Sequence, residues 1–529
     1  MHFTILGLAI ILLMTWLRNI SDVHRFQLFG YYMNQTLASV KKNKGKLLRP
    51  YETLFFLGVW GTLAAPFTWV RIIGVLLLVI SFYFARLITK ATPAKKKLVF
   101  TPRVKRMLAT SAILLLVVGT IMVFLPGPLS ALLASLIYPL SFLIITAANF
   151  VNKPIERFIN EGYYNDALKI LSANPKLTVI GITGSYGKTS TKNVLYTMLS
   201  KDFNVLMTPE SFNTKMGLTR TIREHLRPTH QILIAEMGAK EVGDIKELCD
   251  FVKPTYGVIT SIGPQHLDTF KTFENIISTK GELFKYLAPN GTAFVNVDDE
   301  NVRNIKLRDD VTAVRYTADD RIEFSPDYYI EAVSVSNTGS SFTLVQRKTG
   351  KKIRLSTKLL GRHNLSNIIA GIAIALQLGV SMDRLPVMTA DLKPVTHRLS
   401  TRRVNETYTV LDDAFNSNPV GSKMALEVLS QFEGNKKIII TPGMVELGDQ
   451  AYELNKQFGA AIAEVCDFTI LVGKKQTAPI QDGLKEKSYP ERQLYIASNL
   501  NDAFRKLHEI VALNDVVLIE NDLPDTYNE

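Results

Sequence analysis

Apolar residues are spread unevenly along the 529 residues. Up to about residue 150 they form five runs, near 3–17, 52–66, 67–85, 108–125 and 128–147. Each is roughly as long as a membrane-crossing helix, or slightly shorter. Pro66 and the "PGP" at 126–128 mark tight turns between neighbouring runs. No small-residue cleavage site follows the first run, which reads as a retained anchor rather than a signal peptide. Beyond residue 150 the composition is that of an ordinary soluble α/β protein. A chain this long exceeds one core and divides into three or four units.

Charge sharpens this division. The chain carries a net +13, which by itself points toward nucleic acid. Residues 1–150, however, hold 16 Lys+Arg against 2 Asp+Glu, which leaves 45 basic and 46 acidic residues for the rest. The basicity belongs to the apolar portion, so nucleic acid is not an expected partner. Arg18, Arg25, Lys41, Lys42, Lys44, Lys46 and Arg49 lie between the first two runs. Arg86, Lys90, Lys95, Lys96, Lys97, Arg103, Lys105 and Arg106 lie between the third and fourth. Positive loops stay cytoplasmic, and both fall on the same side of a five-span arrangement. The chain then re-enters the cytoplasm near residue 152. The same loops also suit anionic lipid head groups. Cys249 and Cys466 stand alone, without metal-ligand or disulfide spacing, and read as small buried apolar residues.

The soluble part opens with "KLTVIGITGSYGKTSTKNVLYTML". Residues 177–182 predict a strand. Val194, Leu195, Met198 and Leu199 have helical spacing. Between them Gly181, Gly184 and Gly187 recur every third residue, followed by Lys188 and Thr189. The Walker pattern fails at Ile182. The strand–glycine loop–helix context nevertheless turns backbone N–H groups toward phosphates, with Lys188 reaching the terminal ones and Thr189 free to ligate Mg²⁺.

This loop resembles that of the Mur ligases, ATP-dependent amide ligases of cell-wall peptide synthesis. The resemblance extends over about residues 175–515. The apolar runs predict an α-helical membrane domain (1–150) followed by a linker helix (151–176); the resemblance implies a P-loop central domain with a parallel sheet (177–392) and a Rossmann-like α/β C-terminal domain (393–529). It implies ATP contacts from Gly184, Ser185, Gly187, Lys188, Thr189, Ser190, Asn213 and Asn364. "ILIAE" would deliver Glu236, and "GPQHLD" His266, to a Mg²⁺ site shared with Thr189. "STKGELF" supplies Lys280, which in related ligases is often carbamylated; the alternative is an exposed helix lysine. "GRHNLSN" places Asn364 as an adenine contact, or as a helix N-cap.

The D-alanyl-D-alanine-adding branch is resembled most. "PVTHRLS" supplies Arg398 and "LDDAFNSNP" supplies Asp413, groups that reach ATP when the C-terminal domain closes. Asn416 and Asn418 resemble amine-substrate contacts, or are surface turn residues. "GMVELG" carries Gly443, Met444, Glu446 and Gly448. The implied reaction phosphorylates a carboxylate, then lets an amine displace phosphate. Lys188, His266, Lys280 and Arg398 carry the catalytic roles. Expected partners are the lipid bilayer, a lipid-linked or UDP-linked muramyl peptide as acceptor, and an amino acid or dipeptide.

Two departures stand out. Only about 30 residues separate the last apolar run from the phosphate loop, where soluble relatives carry a domain for the sugar nucleotide. The final strand ends in Glu520, Asn521 and Asp522 where that branch has Lys-Gly-Ser. Alternatives are a poly-γ-glutamate-type ligase and a non-catalytic membrane scaffold. The lipid-amidating relative carries a four-cysteine insert that is absent from this sequence.

Overall fold

The computed structural model describes residues 2–31, 33, 36, 52–90, 97–265, 267–319, 322–415, 417–433, 435–445 and 447–521. Lys41, Lys42, Lys44, Lys46, Arg49, Lys95, Lys96, His266, Asn416, Glu446 and Asp522 lie outside the described residues. The chain falls into two units, one ending at Gly162 and one beginning at Tyr163.

In the first unit, the helices His2–Leu28, Thr68–Lys90 (over its Thr68–Ala85 part) and Pro102–Phe124 are long and apolar enough to cross a membrane. A fourth span results if Gly127–Ile137 and Ser141–Ser172, bent by 75°, count as one. The five-run reading is revised at two points, and each has a proline behind it. Glu52–Leu63 has 12 residues, a rise of about 18 Å, short of the ~30 Å apolar core of a bilayer. The chain leaves the helix before Pro66, whose ring disfavours helical backbone at Ala65. Pro139 likewise breaks the run 128–147, and the following helix continues to Ser172. The acids Asp22, Glu52 and Glu156 among the apolar helices each have a partner. Arg18 donates to Glu52 at 2.6 Å, Ser141 to Asp22 at 2.8 Å, and Arg106 to both Glu156 oxygens at 2.7 and 2.9 Å.

The second unit holds two sheets. The first, among the described residues, runs β2-β3-β1-β4-β5-β6-β7-β8-β9. Its parallel part comprises β1 (Thr178–Thr183), β2 (Val205–Met207), β3 (Ile232–Glu236), β4 (Tyr256–Ile259), β5 (Thr292–Asn296) and β6 (Thr312–Tyr316). β7 (Tyr328–Ser336), β8 (Gly339–Gln346) and β9 (Lys352–Thr357) extend it as antiparallel hairpins. Both faces of β1, β3, β4 and β5 are covered, so these strands are largely apolar. Ile180, Ile182, Ile232 and Ile234 face the helices Lys188–Leu199 and Arg362–Gln377. Val179, Leu233 and Ala235 face the opposite layer, where Ala167 of the incoming Ser141–Ser172 helix also packs.

The second sheet runs β10-β11-β15-β12-β13-β14. It is built from β10 (Ser400–Val404), β11 (Tyr408–Asp413), β12 (Lys437–Thr441), β13 (Phe468–Val472), β14 (Leu494–Ala497) and β15 (Val516–Glu520). Only the β10 pairing is antiparallel. Parity again sorts the side chains. Leu411, Ile439 and Leu518 face one helical layer, and Val410, Ile438 and Val517 the other.

Candidate active site

The phosphate loop lies at the C-terminal end of β1, where open α/β sheets place their ligands. Gly181 and Ile182 are still strand, so the Walker glycine position falls inside the sheet core, where Ile182 is fully buried. The turn begins at Gly184. Its φ is +144°, and a Cβ there would stand 2.1 Å from the Thr260 hydroxyl. Gly187, at φ +81°, caps the helix Lys188–Leu199. Only glycine takes both positions without strain. The Ser185 hydroxyl donates to the Gly263 carbonyl at 2.9 Å and that of Tyr186 to Pro264 at 2.8 Å. Both bonds tie the loop to the segment leading to position 266.

Lys188 donates to the carbonyls of Gly184 at 2.6 Å and Ser185 at 3.3 Å. Burial draws its pKa down to about 8, the Arg398 charge adds to the shift, and Glu236 opposes it. Alternation along β3 puts Glu236 on the same face as Ile232 and Ile234, toward the phosphate-loop helix. There its Oε1 accepts from Thr189 at 3.3 Å and from Asn213 at 3.2 Å. Burial would raise the Glu236 carboxyl; Lys192 and Lys188 outweigh it and hold the pKa below its usual value.

Lys280 is not an exposed helix lysine. It is 2 % exposed, and burial with the nearby Lys188 charge lowers its pKa well below the usual lysine value. Arg398 enters from the segment before β10. It donates to Thr189 Oγ1 at 3.2 Å, and its guanidinium lies 4.4 Å from the Phe415 ring centroid. The flanking residues His397 and Leu399 have φ of +61° and +49°. His397 Nδ1 lies 2.8 Å from Asp412, and the Leu399 N–H donates to Asp413 at 3.0 Å.

Asn364 is neither the N-cap, which is Gly361, nor free at both ends of its amide. It donates to Leu360 at 2.8 Å and accepts from Asn367 at 3.2 Å, and Asn367 in turn accepts from Thr191 at 2.9 Å. Ser190, Asn364 and Arg398 line one pocket beside the phosphate-loop helix. Asn418 caps the helix Pro419–Ser430 through the Gly421 N–H at 2.8 Å. A cleft of about 660 Å³ lies between Pro264, Leu267, Lys271 and Phe273 on one side and Gly448, Asp449 and Gln450 on the other.

One group escaped the sequence reading, and one was noted there without its partner. Lys192, 1 % exposed, pairs with Glu236 Oε2 at 3.0 Å and also donates to the Glu210 carbonyl. Its only sequence signal is its place one turn after Lys188 on the same helix. Glu520, fully buried, is the register partner of Asp413 and accepts from the Ser417 hydroxyl at 2.6 Å. Burial pushes the Asp413 carboxyl up to about 6, with the Asp412 charge adding to it and the Leu399 N–H and Arg398 opposing. Burial, then Asp413, pushes Glu520 well above the carboxylate range. Asn521 donates to the Gly443 carbonyl at 2.6 Å.

A glycine-turned phosphate loop, an inward acid on the next strand and an arginine supplied from a second sheet define a nucleotide-dependent two-domain architecture. Residues 182–375 match the Mur ligase middle domain and residues 397–520 the Mur ligase glutamate ligase domain, and the chain belongs to the Mur ligase family. UDP-N-acetylmuramoyl-tripeptide–D-alanyl-D-alanine ligase of Escherichia coli (strain K12) is 30% identical over 306 residues, 57% of this chain and 65% of the relative. The enzyme of the same description from Mycobacterium bovis is 32% identical over 290 residues, 54% and 56%. The chain therefore spans less than two thirds of either. The fold is similar to that of the MurF ligase from Thermotoga maritima in complex with ADP, with TM-score 0.61 and 24% identity over 70% of this chain and 81% of that one.

Proposed function

We propose that the protein is a membrane-anchored, ATP-dependent ligase that joins a carboxylate to an amine in peptidoglycan-type peptide synthesis. The convergence of Lys188, Thr189, Glu236, Lys280 and Arg398 on one phosphate loop carries this reading. A carboxylate is a poor electrophile. Its oxygen attacks the γ-phosphorus of ATP, ADP leaves, and an acyl phosphate forms. The amine nitrogen then attacks the acyl carbon, the C–O bond to phosphate breaks, and a proton leaves the nitrogen. The chain positions these groups and neutralises charge. Lys188 leaves its loop carbonyls for the terminal phosphates, and Arg398 adds a cation from the second sheet, comparable in role to an arginine finger.

The residues present fit Mg²⁺, which is held by hard oxygen donors and commonly takes only one or two carboxylates beside phosphate. Thr189 Oγ1 and Glu236 Oε1, 3.3 Å apart, are such donors, and no cluster of three metal-ligating side chains is needed or found among the described residues. His266 is proposed as a further ligand. Bound there, the cation would screen phosphate charge. Lys280 is favoured in its neutral form by burial, and the neutral amine is the form that adds CO₂. The resulting carbamate would contribute an anionic oxygen to the same site. Ser185, Ser190, Asn213, Asn364 and Asp413 are proposed to hold the nucleotide, and Asn416 and Asn418 the amine.

The first unit is proposed as a multi-pass anchor with the catalytic sheets on the cytoplasmic side. Its helices and paired charges support an apolar setting, and the helix that leads directly toward β1 supports a lipid-linked or membrane-proximal acceptor. Glu520 and Asn521, which stand at the end of β15 where the D-alanyl-D-alanine-adding branch has Lys-Gly-Ser, leave a different acceptor or amine as a second possibility. Full-length protein in nanodiscs tests both parts. ADP release is measured with D-alanyl-D-alanine or single amino acids, against lipid-linked or UDP-linked peptide. Turnover with a lipid-linked acceptor is the expected result. Equal turnover with the UDP-linked peptide sinks the acceptor assignment, and no turnover with any pair leaves the scaffold reading standing.

A further inference from the structure

We infer that Lys192 is a positioning residue that fixes Glu236 as a one-oxygen ligand for the divalent cation of the nucleotide; this rests on the ATP-dependent reading above. Lysine is almost never buried without a partner, and Lys192 is as buried as Glu236, each 1 % exposed. A methionine would fill the same space if packing were the only demand. Instead the ammonium sits between two segments that follow different strands. It holds Glu236 Oε2 at 3.0 Å, at the end of β3. It also donates to the carbonyl of Glu210, a residue with φ +42° in the loop after β2. That loop also brings Asn213 to Glu236.

The two carboxylate oxygens are thereby assigned different tasks. Oε2 is paired with the Lys192 charge at 3.0 Å without a hydrogen bond, while Oε1 accepts from Thr189 and Asn213 at the phosphate loop. Rotation of the carboxylate would cost the buried ion pair. A second consequence concerns charge. Glu236 is shared between Lys192 and Lys188, and Lys188 rests on the Gly184 and Ser185 carbonyls, available to phosphate. Lys188, Lys192 and Arg398 against Glu236 leave a local charge of about +2, a match for a triphosphate carrying one divalent cation.

The test is calorimetric and does not use turnover. ADP binding to the full chain in detergent is measured with Mg²⁺ and with EDTA, and the ratio of the two affinities is the readout. Lys192→Met is expected to reduce this ratio about tenfold or more, as loss of a partner that orients a metal ligand does. Lys192→Arg, which keeps the cation, is expected to retain most of it. Because Lys192→Met strands a buried carboxylate and risks the fold, Glu236→Gln is compared with the double variant Lys192→Met/Glu236→Gln. Equal ratios in these two support action through Glu236. The inference is overturned if Lys192→Met keeps the wild-type ratio, or if the double variant falls below Glu236→Gln alone. A wild-type protein with no Mg²⁺-dependent gain would instead defeat the nucleotide reading itself.

Discussion

The two sheets of the second unit share an architecture and differ in the charge at their strand ends. Beside β1 and β3 the buried ionisable groups are mainly cations. Lys188, Lys192, Lys280 and the incoming Arg398 gather there, with Glu236 paired to Lys192 and Asp244 acting on Lys280. Beside β11 and β15 they are acids: Asp413 and Glu520 lie side by side in register, next to Asp412. Burial acts on both groups in the same sense, against charge. It moves the lysines down and the carboxyls up. One fold plan thus carries a cationic cradle on one sheet and a proton-holding pair on the other. Arg398 is the element that crosses from one to the other.

Removing the cradle's charge should produce the largest change. Lys188→Ala is expected to lower nucleotide-dependent ADP release by ~10³ or more, as loss of a phosphate-contacting cation does. Steady-state rates against the same acceptor and amine check this, and a loss below tenfold would break the contrast. The next effect is titration of the same lysine. Its pKa of about 8 lies below that of the free side chain, so ADP affinity is expected to fall by up to about tenfold per unit as pH rises through 8. Calorimetry in Lys188→Met should show that slope removed.

The smallest effect belongs to the acidic pair. Asp413 and Glu520 have folded-state pKa values above their unfolded ones. Their contribution to stability is therefore complete below the unfolded values near 4 and is lost as pH rises through about 6 for Asp413 and higher for Glu520. Glu520→Gln keeps an acceptor for Ser417 and removes one of the two titrations. The drop in Tm between pH 5 and pH 8 is expected to shrink by at least about 2 °C. An unchanged drop would show that the pair is not what differs between the sheets.

The phosphate loop was legible because everything it needs is consecutive: an apolar strand, glycines at the turn, then Lys188 and Thr189. Glu236 and Arg398 were legible through motifs that stand at the ends of strand patterns. Lys192 was not, because it sits on a helix, its partner ends a strand far along the chain, and only the parity of β3 brings the two together. Glu520 was noticed as a departure, yet its pairing with Asp413 depends on a β11–β15 register joining segments about 100 residues apart. The hairpins β7–β9 alternate apolar and polar positions, as half-exposed strands do, a pattern that the search for buried parallel strands passes over. Five apolar runs became fewer long helices because hydropathy registers composition, whereas Pro66 and Pro139 decide where a helix stops.

Arg398 stands between His397 and Leu399, both in left-handed backbone, where a side chain costs about 1 kcal/mol or more. The arginine is therefore presented by a sprung piece of main chain, and not merely by a long flexible side chain. Glycine at 397 or 399 would unload the spring. The strain would be relieved, and Arg398 would be held less firmly at Thr189.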